Sequence, residues 1–194
     1  MAPALLQVRD LRLGRGGRTL LTEFDLDVLP GQMVLVEGAN GSGKTTLLRA
    51  LAGLSTLGQE GSIERSCRQL LFLGHKPGVK QLLTARENLA WYCQAFNWDE
   101  HGIDDALERV GLYGYEDVSC QQMSAGQQRR VNLARLYLSD SDLCLLDEPF
   151  TAIDREGVKQ LAQFLAQRTQ AGAAVILTSH QDLPVDVPVQ KVQL

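Results

Sequence analysis

Gly38-Ala39-Asn40-Gly41-Ser42-Gly43-Lys44-Thr45 carries the spacing G-x-x-x-x-G-K-[ST]. Its three glycines let the backbone turn tightly enough for successive N–H groups to converge on one phosphate. Lys44 then supplies a charge between the β- and γ-phosphates, and the Thr45 hydroxyl suits Mg²⁺. A second chemical pair, Asp147-Glu148, directly follows the apolar run Leu143 to Leu146. An aspartate after a buried strand is suited to holding Mg²⁺ through water, and the neighbouring glutamate to polarising a water for attack on a γ-phosphate. Read alone, the two carboxylates would do no more than cap the next turn.

Chemistry at these spacings needs elements that present it. Met33-Val34-Leu35-Val36 reads as a buried strand entering the glycine run, and Thr46-Leu47-Leu48-Arg49-Ala50-Leu51 as the helix leaving it, whose positive end adds to the field at the loop. Further runs at Leu143 to Leu146 and Ala174 to Leu177 are continuous and apolar, and an amphipathic helix is expected over Arg155 to Arg168. Apolar strands alternating with helices predict an α/β fold with a parallel sheet covered on both faces. In such a sheet the carboxyl ends of the strands bind ligands, which puts Asp147 and Glu148 beside the glycine loop. Ahead of this core, Leu5 to Leu13 and Arg18 to Val28 predict a small antiparallel β-layer around the Gly14-Arg15-Gly16-Gly17 turn. Thr84-Ala85-Arg86-Glu87 has capping-box spacing before one helix, a second helix stops at Gly111, and Ser124 caps a third. About residues 76–135 therefore read as an α-helical subdomain, set into a core and β-layer formed by 1–75 and 136–194, all within one domain over 1–194.

The composition excludes several classes. With 194 residues, 44% hydrophobic and a formal net charge of −4, the chain is long enough for a sizeable core and has no basic footprint for nucleic acid or anionic lipid. No apolar run approaches the roughly 18 residues that a membrane span needs. The beginning of the chain lacks a basic region followed by a long apolar stretch, so the cytoplasm is the expected compartment. Cys67, Cys93, Cys120 and Cys144 form no C-x-x-C motif and read as reduced structural thiols, with Cys144 a small hydrophobe inside its strand.

Met123-Ser124-Ala125-Gly126-Gln127-Gln128-Arg129-Arg130 resembles the L-S-G-G-Q signature of ATP-binding cassette (ABC) ATPases, placed as in that family shortly before the Asp147 strand. A serine hydroxyl and backbone N–H groups at a helix N-terminus make a second anion-binding surface, although Ser124 alone would be a plain cap. The resemblance implies the P-loop NTPase fold of an ABC nucleotide-binding domain. It also implies a homodimer in which ATP, with Mg²⁺ as cofactor, lies between Lys44 of one copy and Ser124, Ala125, Gly126 and Gln127 of the other. Asp154, in Thr151-Ala152-Ile153-Asp154, resembles the aspartate that contacts the opposite site. His180, in Thr178-Ser179-His180, resembles the switch histidine that meets the γ-phosphate and the attacking water held by Glu148.

Two positions depart from the family pattern. His75, in Leu71-Phe72-Leu73-Gly74-His75-Lys76-Pro77-Gly78, stands where the family has a glutamine that senses Mg²⁺ and the γ-phosphate; an imidazole is shorter, so contact through water is expected. No aromatic lies near Arg15, where the family stacks adenine. Arg15 or Arg18 offers a guanidinium plane instead, against the plainer reading of a solvated hairpin charge. Arg129 and Arg130 read as a solvated helix face.

The segments from Gly74 to Lys80, Leu83 to Leu89 and Leu146 to Asp154 are similar to those of the ATPase subunits of bacterial cytochrome c maturation. That resemblance implies a peripheral subunit at the cytoplasmic face of the inner membrane, docked on the integral-membrane subunits CcmB and CcmC. Its hydrolysis of ATP would drive haem handling or export and the release of a haem-loaded periplasmic chaperone. The alternative is the ATPase of another ABC importer or exporter.

Overall fold

Continuous apolar segments become the strands of one sheet. In the computed structural model, which describes residues 3–55, 58–151, 153–179 and 185–194, the chain divides into two units. The first holds Met1–Gly74, Ser141–Pro149 and Leu161–Leu194. The second holds His75–Asp140 and Phe150–Gln160. The side chain of Arg15, as well as Ala152 and His180, lies outside the description.

In the first unit, β1 (Leu6–Arg15), β2 (Arg18–Val28) and β4 (Gln59–Arg65) form an antiparallel sheet in the order β2-β1-β4. Strands β3 (Met33–Glu37), β5 (Leu70–Leu73), β6 (Leu143–Asp147), β7 (Ala174–Thr178) and β8 (Val189–Gln193) form a parallel sheet in the order β5-β6-β7-β3-β8. All five residues of both β6 and β7 are buried, as two covered faces require. Alternate residues Val34, Val36, Leu143, Leu145, Ala174 and Ile176 share one core cluster with Leu6, Val8 and Leu11 of β1 and with Leu47, Leu48 and Leu51 of α1 (Lys44–Leu51). Burial of each such side chain stabilises the fold by about 1.5–3 kcal/mol, so α1 is held firmly against the sheet. Its C-terminal end is held too, because Arg65 donates from Nε to Leu51 O (2.6 Å) and from Nη2 to Ala50 O (2.7 Å), the second carbonyl being shared with Gly53 N (2.9 Å).

Two strands were not expected from the sequence. Gln59-Glu60-Gly61-Ser62-Ile63-Glu64-Arg65 has neither an apolar run nor a clean alternation, and becomes β4 by pairing with β1 from Leu6↔Arg65 to Leu13↔Gln59. Likewise β8 is a half-exposed edge strand that follows the register of β3 from Met33↔Val189 to Glu37↔Gln193.

Local signals organise the second unit. Thr84 caps α2 (Ala85–Phe96) with both bonds of a capping box, and Ser124 does the same for α4 (Ala125–Leu138); each cap contributes about 1 kcal/mol. Between them runs α3 (Ile103–Arg109). Asn88 is buried and binds the preceding loop, accepting from Lys80 N (2.7 Å) and donating to Lys80 O (3.0 Å) and Thr84 O (2.9 Å). The Lys80 ammonium sits 4.0 Å from the Trp91 ring centre, and the buried Arg135 guanidinium 3.6 Å from that of Tyr92. Arg130 is not the solvated charge that the sequence suggested: it donates to Val110 O and Gly111 O beyond the C-terminus of α3. Arg129, also expected in solvent, reaches His75. No helix among the described residues is long and apolar enough to cross a membrane.

All four cysteines are free thiols, and only Cys67 is not buried. Burial within β6 pushes the Cys144 thiol up to about 11. The folded chain therefore keeps this proton where an unfolded thiol would lose it. Its contribution to stability is complete below the ordinary thiol range and is lost as pH climbs through that range toward about 11. Titration with a maleimide at neutral pH is expected to label Cys67 first and Cys93, Cys120 and Cys144 only on unfolding. Early labelling of Cys144 would contradict this packing.

Candidate functional site

The carboxyl end of β3 runs through residues 38–43 into α1, whose first residue is Lys44. Two glycines make the turn possible. At Gly43, φ is 110° and a Cβ would stand 3.2 Å from Leu20 Cβ; at Gly38 a Cβ would stand 2.6 Å from Ser42 Oγ. Side chains at either place would reshape the loop. Lys44 is only 7% exposed and folds back over the loop, donating from Nζ to Gly38 O (2.7 Å) and Ala39 O (3.1 Å). Ala39, Asn40 and Gly41 are exposed, and Thr46 is half-buried. Ser42 Oγ is buried without a hydrogen-bond partner among the described residues. A buried hydroxyl left unpaired costs about 1–3 kcal/mol, so the loop interior is suited to a polar ligand that supplies the missing bond.

Next to the loop, three side chains from separate segments form one hydrogen-bonded chain. Thr45 Oγ1 donates to Asp147 Oδ2 at 2.8 Å, Thr178 Oγ1 donates to Asp147 Oδ1 at 2.9 Å, and Glu148 N donates to Thr178 Oγ1 at 2.8 Å. Asp147 is 3% exposed at the end of β6. Glu148 follows it in a left-handed conformation, φ 52°, which turns the chain sharply out of the sheet. Among the described residues no cluster of three or more His, Cys, Asp or Glu side chains forms a metal cage. The adjacent Thr45 hydroxyl and Asp147 carboxylate are oxygen donors of the kind that hard Mg²⁺ takes while filling its other positions with water and phosphate oxygens. These residues fit that ion.

The other described candidates, Ser124, His75 and Asp154, belong to the second unit. Ser124 is exposed at the N-terminus of α4, where its Oγ accepts from Gln127 N (3.2 Å) and its own N donates to Gln127 Oε1 (2.9 Å). Its hydroxyl proton is not used in the cap, and Ala125 and Gly126 form the first turn beside it. His75 is exposed and stands 3.3 Å from Arg129 Nη1 through Nδ1. Arg129 Nη1 also reaches the backbone carbonyl of His75 at 3.4 Å. Asp154 accepts from Gly157 N at 2.8 Å, in the first turn of α5 (Arg155–Gln170). His180 falls outside the described residues.

The sequence reasoning missed Thr178 and Arg129. A signal for Thr178 was present, since a hydroxyl ends an otherwise apolar strand. For Arg129 none was, because nothing in a helical run of polar residues announces a partner 54 positions away.

The chain matches the ABC transporter family over residues 21–151. It is 48% identical to the cytochrome c biogenesis ATP-binding export protein CcmA of Aliivibrio fischeri, over 94% of this chain and 95% of that protein. To the protein of the same name from Hahella chejuensis it is 46% identical, over 98% of this chain and 95% of that one. Among solved structures it resembles an ATP binding subunit of an ABC transporter, with a TM-score of 0.82 at 25% identity over 91% of this chain and 79% of the other. A dimeric ATP-binding cassette in a post-hydrolysis state with ADP and Pi shares the fold, with a TM-score of 0.79 at 21% identity over 91% of this chain and 88% of that one. The chain belongs to the ABC transporter family of ATP-binding subunits, in the branch of the CcmA proteins.

Proposed function

We propose that this chain is the ATP-hydrolysing subunit of an ABC-type membrane complex for cytochrome c maturation, working as a homodimer on the cytoplasmic face of the bacterial inner membrane. One observation carries the enzymatic part: Thr45, Asp147, Thr178 and the backbone of Glu148 are joined by hydrogen bonds of 2.8–2.9 Å next to the loop that holds Lys44. The similarity to CcmA proteins over nearly the whole chain supports the biological assignment.

In this reading the N–H groups of residues 39–46 surround the phosphates, and Lys44 exchanges the carbonyls of Gly38 and Ala39 for β- and γ-phosphate oxygens. Thr45 and Asp147 hold Mg²⁺, which when bound neutralises the charge that develops on the phosphates. Glu148 accepts a proton from the water that attacks the γ-phosphorus as the bond to ADP breaks, and His180 hydrogen-bonds the γ-phosphate and that water. From the second copy, the Ser124 hydroxyl and the first N–H groups of α4 close on the γ-phosphate, with Gln127 beside them and Asp154 at the interface. His75 takes the sequence place of the family's γ-phosphate-sensing glutamine. The membrane partners are CcmB and CcmC, and the work done is haem handling or export and release of the haem-loaded chaperone. Nucleic acid has no place in this scheme.

Complementation tests the assignment. A bacterium lacking its own cytochrome c maturation ATPase is expected to regain haem-stained holocytochrome c when it expresses this chain, and to fail with Lys44→Ala. If the wild-type chain hydrolyses ATP in membranes yet restores no holocytochrome, another ABC importer or exporter is its home.

A further inference from the structure

Thr178 ends β7 directly opposite Asp147, its register partner at the end of β6. It is fully buried, after four apolar residues, Ala174-Val175-Ile176-Leu177. Valine would fill such a position as well, and a buried hydroxyl is costly unless bonded. Here both of its capacities serve the carboxylate pair: it donates to Asp147 Oδ1 at 2.9 Å and accepts from Glu148 N at 2.8 Å. With Thr45 on Oδ2, the Asp147 carboxylate is held by one hydroxyl on each oxygen and cannot rotate freely. Glu148 N–H leaves the strand in a left-handed turn, φ 52°, a conformation that costs a non-glycine residue about 1–2 kcal/mol. The bond to Thr178 gives that N–H its acceptor.

We infer that Thr178 is a positioning residue for ATP hydrolysis, its single hydroxyl setting the carboxylate of Asp147 and the backbone turn of Glu148 together from the neighbouring strand. The inference rests on the reading that these two carboxylates serve a nucleotide. Lys44 and the loop amides, which bind the phosphates, are not touched by Thr178. Its loss therefore falls on the chemical step and on the Mg²⁺ requirement rather than on ATP affinity.

The test uses the membrane complex containing this chain, with turnover measured against both ATP and Mg²⁺. Misplacing reacting groups by a fraction of an ångström to 1 Å costs up to about a hundredfold, so Thr178→Val is expected to lower kcat about 10–100-fold. KM for ATP should stay within about twofold while the half-saturating Mg²⁺ concentration rises several-fold. Thr178→Ser, which keeps the hydroxyl and drops only the methyl, is expected to recover kcat to within about threefold of wild type. Where the valine protein does not assemble, Thr178→Cys, similar in volume but weaker in both bonds, is read for the same split between kcat and KM. Wild-type kcat in the valine or cysteine protein overturns the inference, as do equal losses for valine and serine, or a fall in kcat matched by a rise in KM for ATP. Glu148→Gln run in parallel separates the two readings. Full turnover in that variant removes the underlying assignment of the carboxylates, whereas a dead Glu148→Gln beside a fully active Thr178→Val removes only the role of Thr178.

Discussion

Glu148→Gln is expected to bind ATP as the native chain does while turning it over about a hundredfold or more slowly, the usual contribution of a general base. The exchange changes almost no volume, and the bond from Glu148 N to Thr178 Oγ1 is made by the backbone, so the local turn survives the substitution. What disappears is the basic oxygen that receives the proton from the attacking water. Without that step a closed dimer has no exit, and the variant is expected to elute as a dimer with ATP and Mg²⁺ in size-exclusion chromatography. Single-turnover measurements check the chemistry directly. A variant that hydrolyses ATP at the native rate would take Glu148 out of the mechanism.

Lys44→Ala should act earlier, abolishing binding along with turnover. The ammonium is 7% exposed and already desolvated by the carbonyls of Gly38 and Ala39, so little reorganisation is needed when phosphate oxygens replace them. Facing anionic phosphate oxygens instead of neutral carbonyls, the ammonium gains a charge–charge attraction that alanine lacks, so ATP binding is expected to fall below detection. The fold has less to lose, because the two carbonyls freed in the variant are part-buried in a loop whose residues Ala39, Asn40 and Gly41 are exposed. Titration with a fluorescent ATP analogue, alongside thermal unfolding, separates the two effects. Native affinity in a folded Lys44→Ala protein would contradict the assignment of the loop.

The contrast between these residues and Thr178 shows where reading a sequence stops. Within the glycine run every needed feature is contiguous: a buried strand, glycines in conformations that other residues avoid, and a helix beginning at Lys44. Thr84 and Ser124 are similar, since a cap closes with a residue three positions on, and both capping boxes form at those positions. The antiparallel layer and the parallel sheet were also legible, because β1, β2, β3, β6 and β7 are long or continuously apolar enough to declare their type. Strands β4 and β8 were not, since their polar residues gain strand geometry from the ladders of β1 and β3 rather than from their own pattern. Arg129 and Arg130 looked solvated for a related reason: a long cation shows its partner only after distant carbonyls have been folded against it.

Local order along the chain was thus enough to establish the phosphate-type loop, the helix caps and the α/β class, because the interactions that define them span only a few residues. Side-chain partnerships required the folded sheet. Thr45 meets Asp147 across 102 positions and Thr178 meets it across 31, distances over which no spacing rule operates. Their meeting depends on parallel register, with Asp147 opposite Thr178 at matching strand ends, and on a helix packed against the sheet closely enough to bring its first turn to the same edge. Register is a collective property of the packed core, and so the setting of the Asp147 carboxylate and of the Glu148 backbone was decided there.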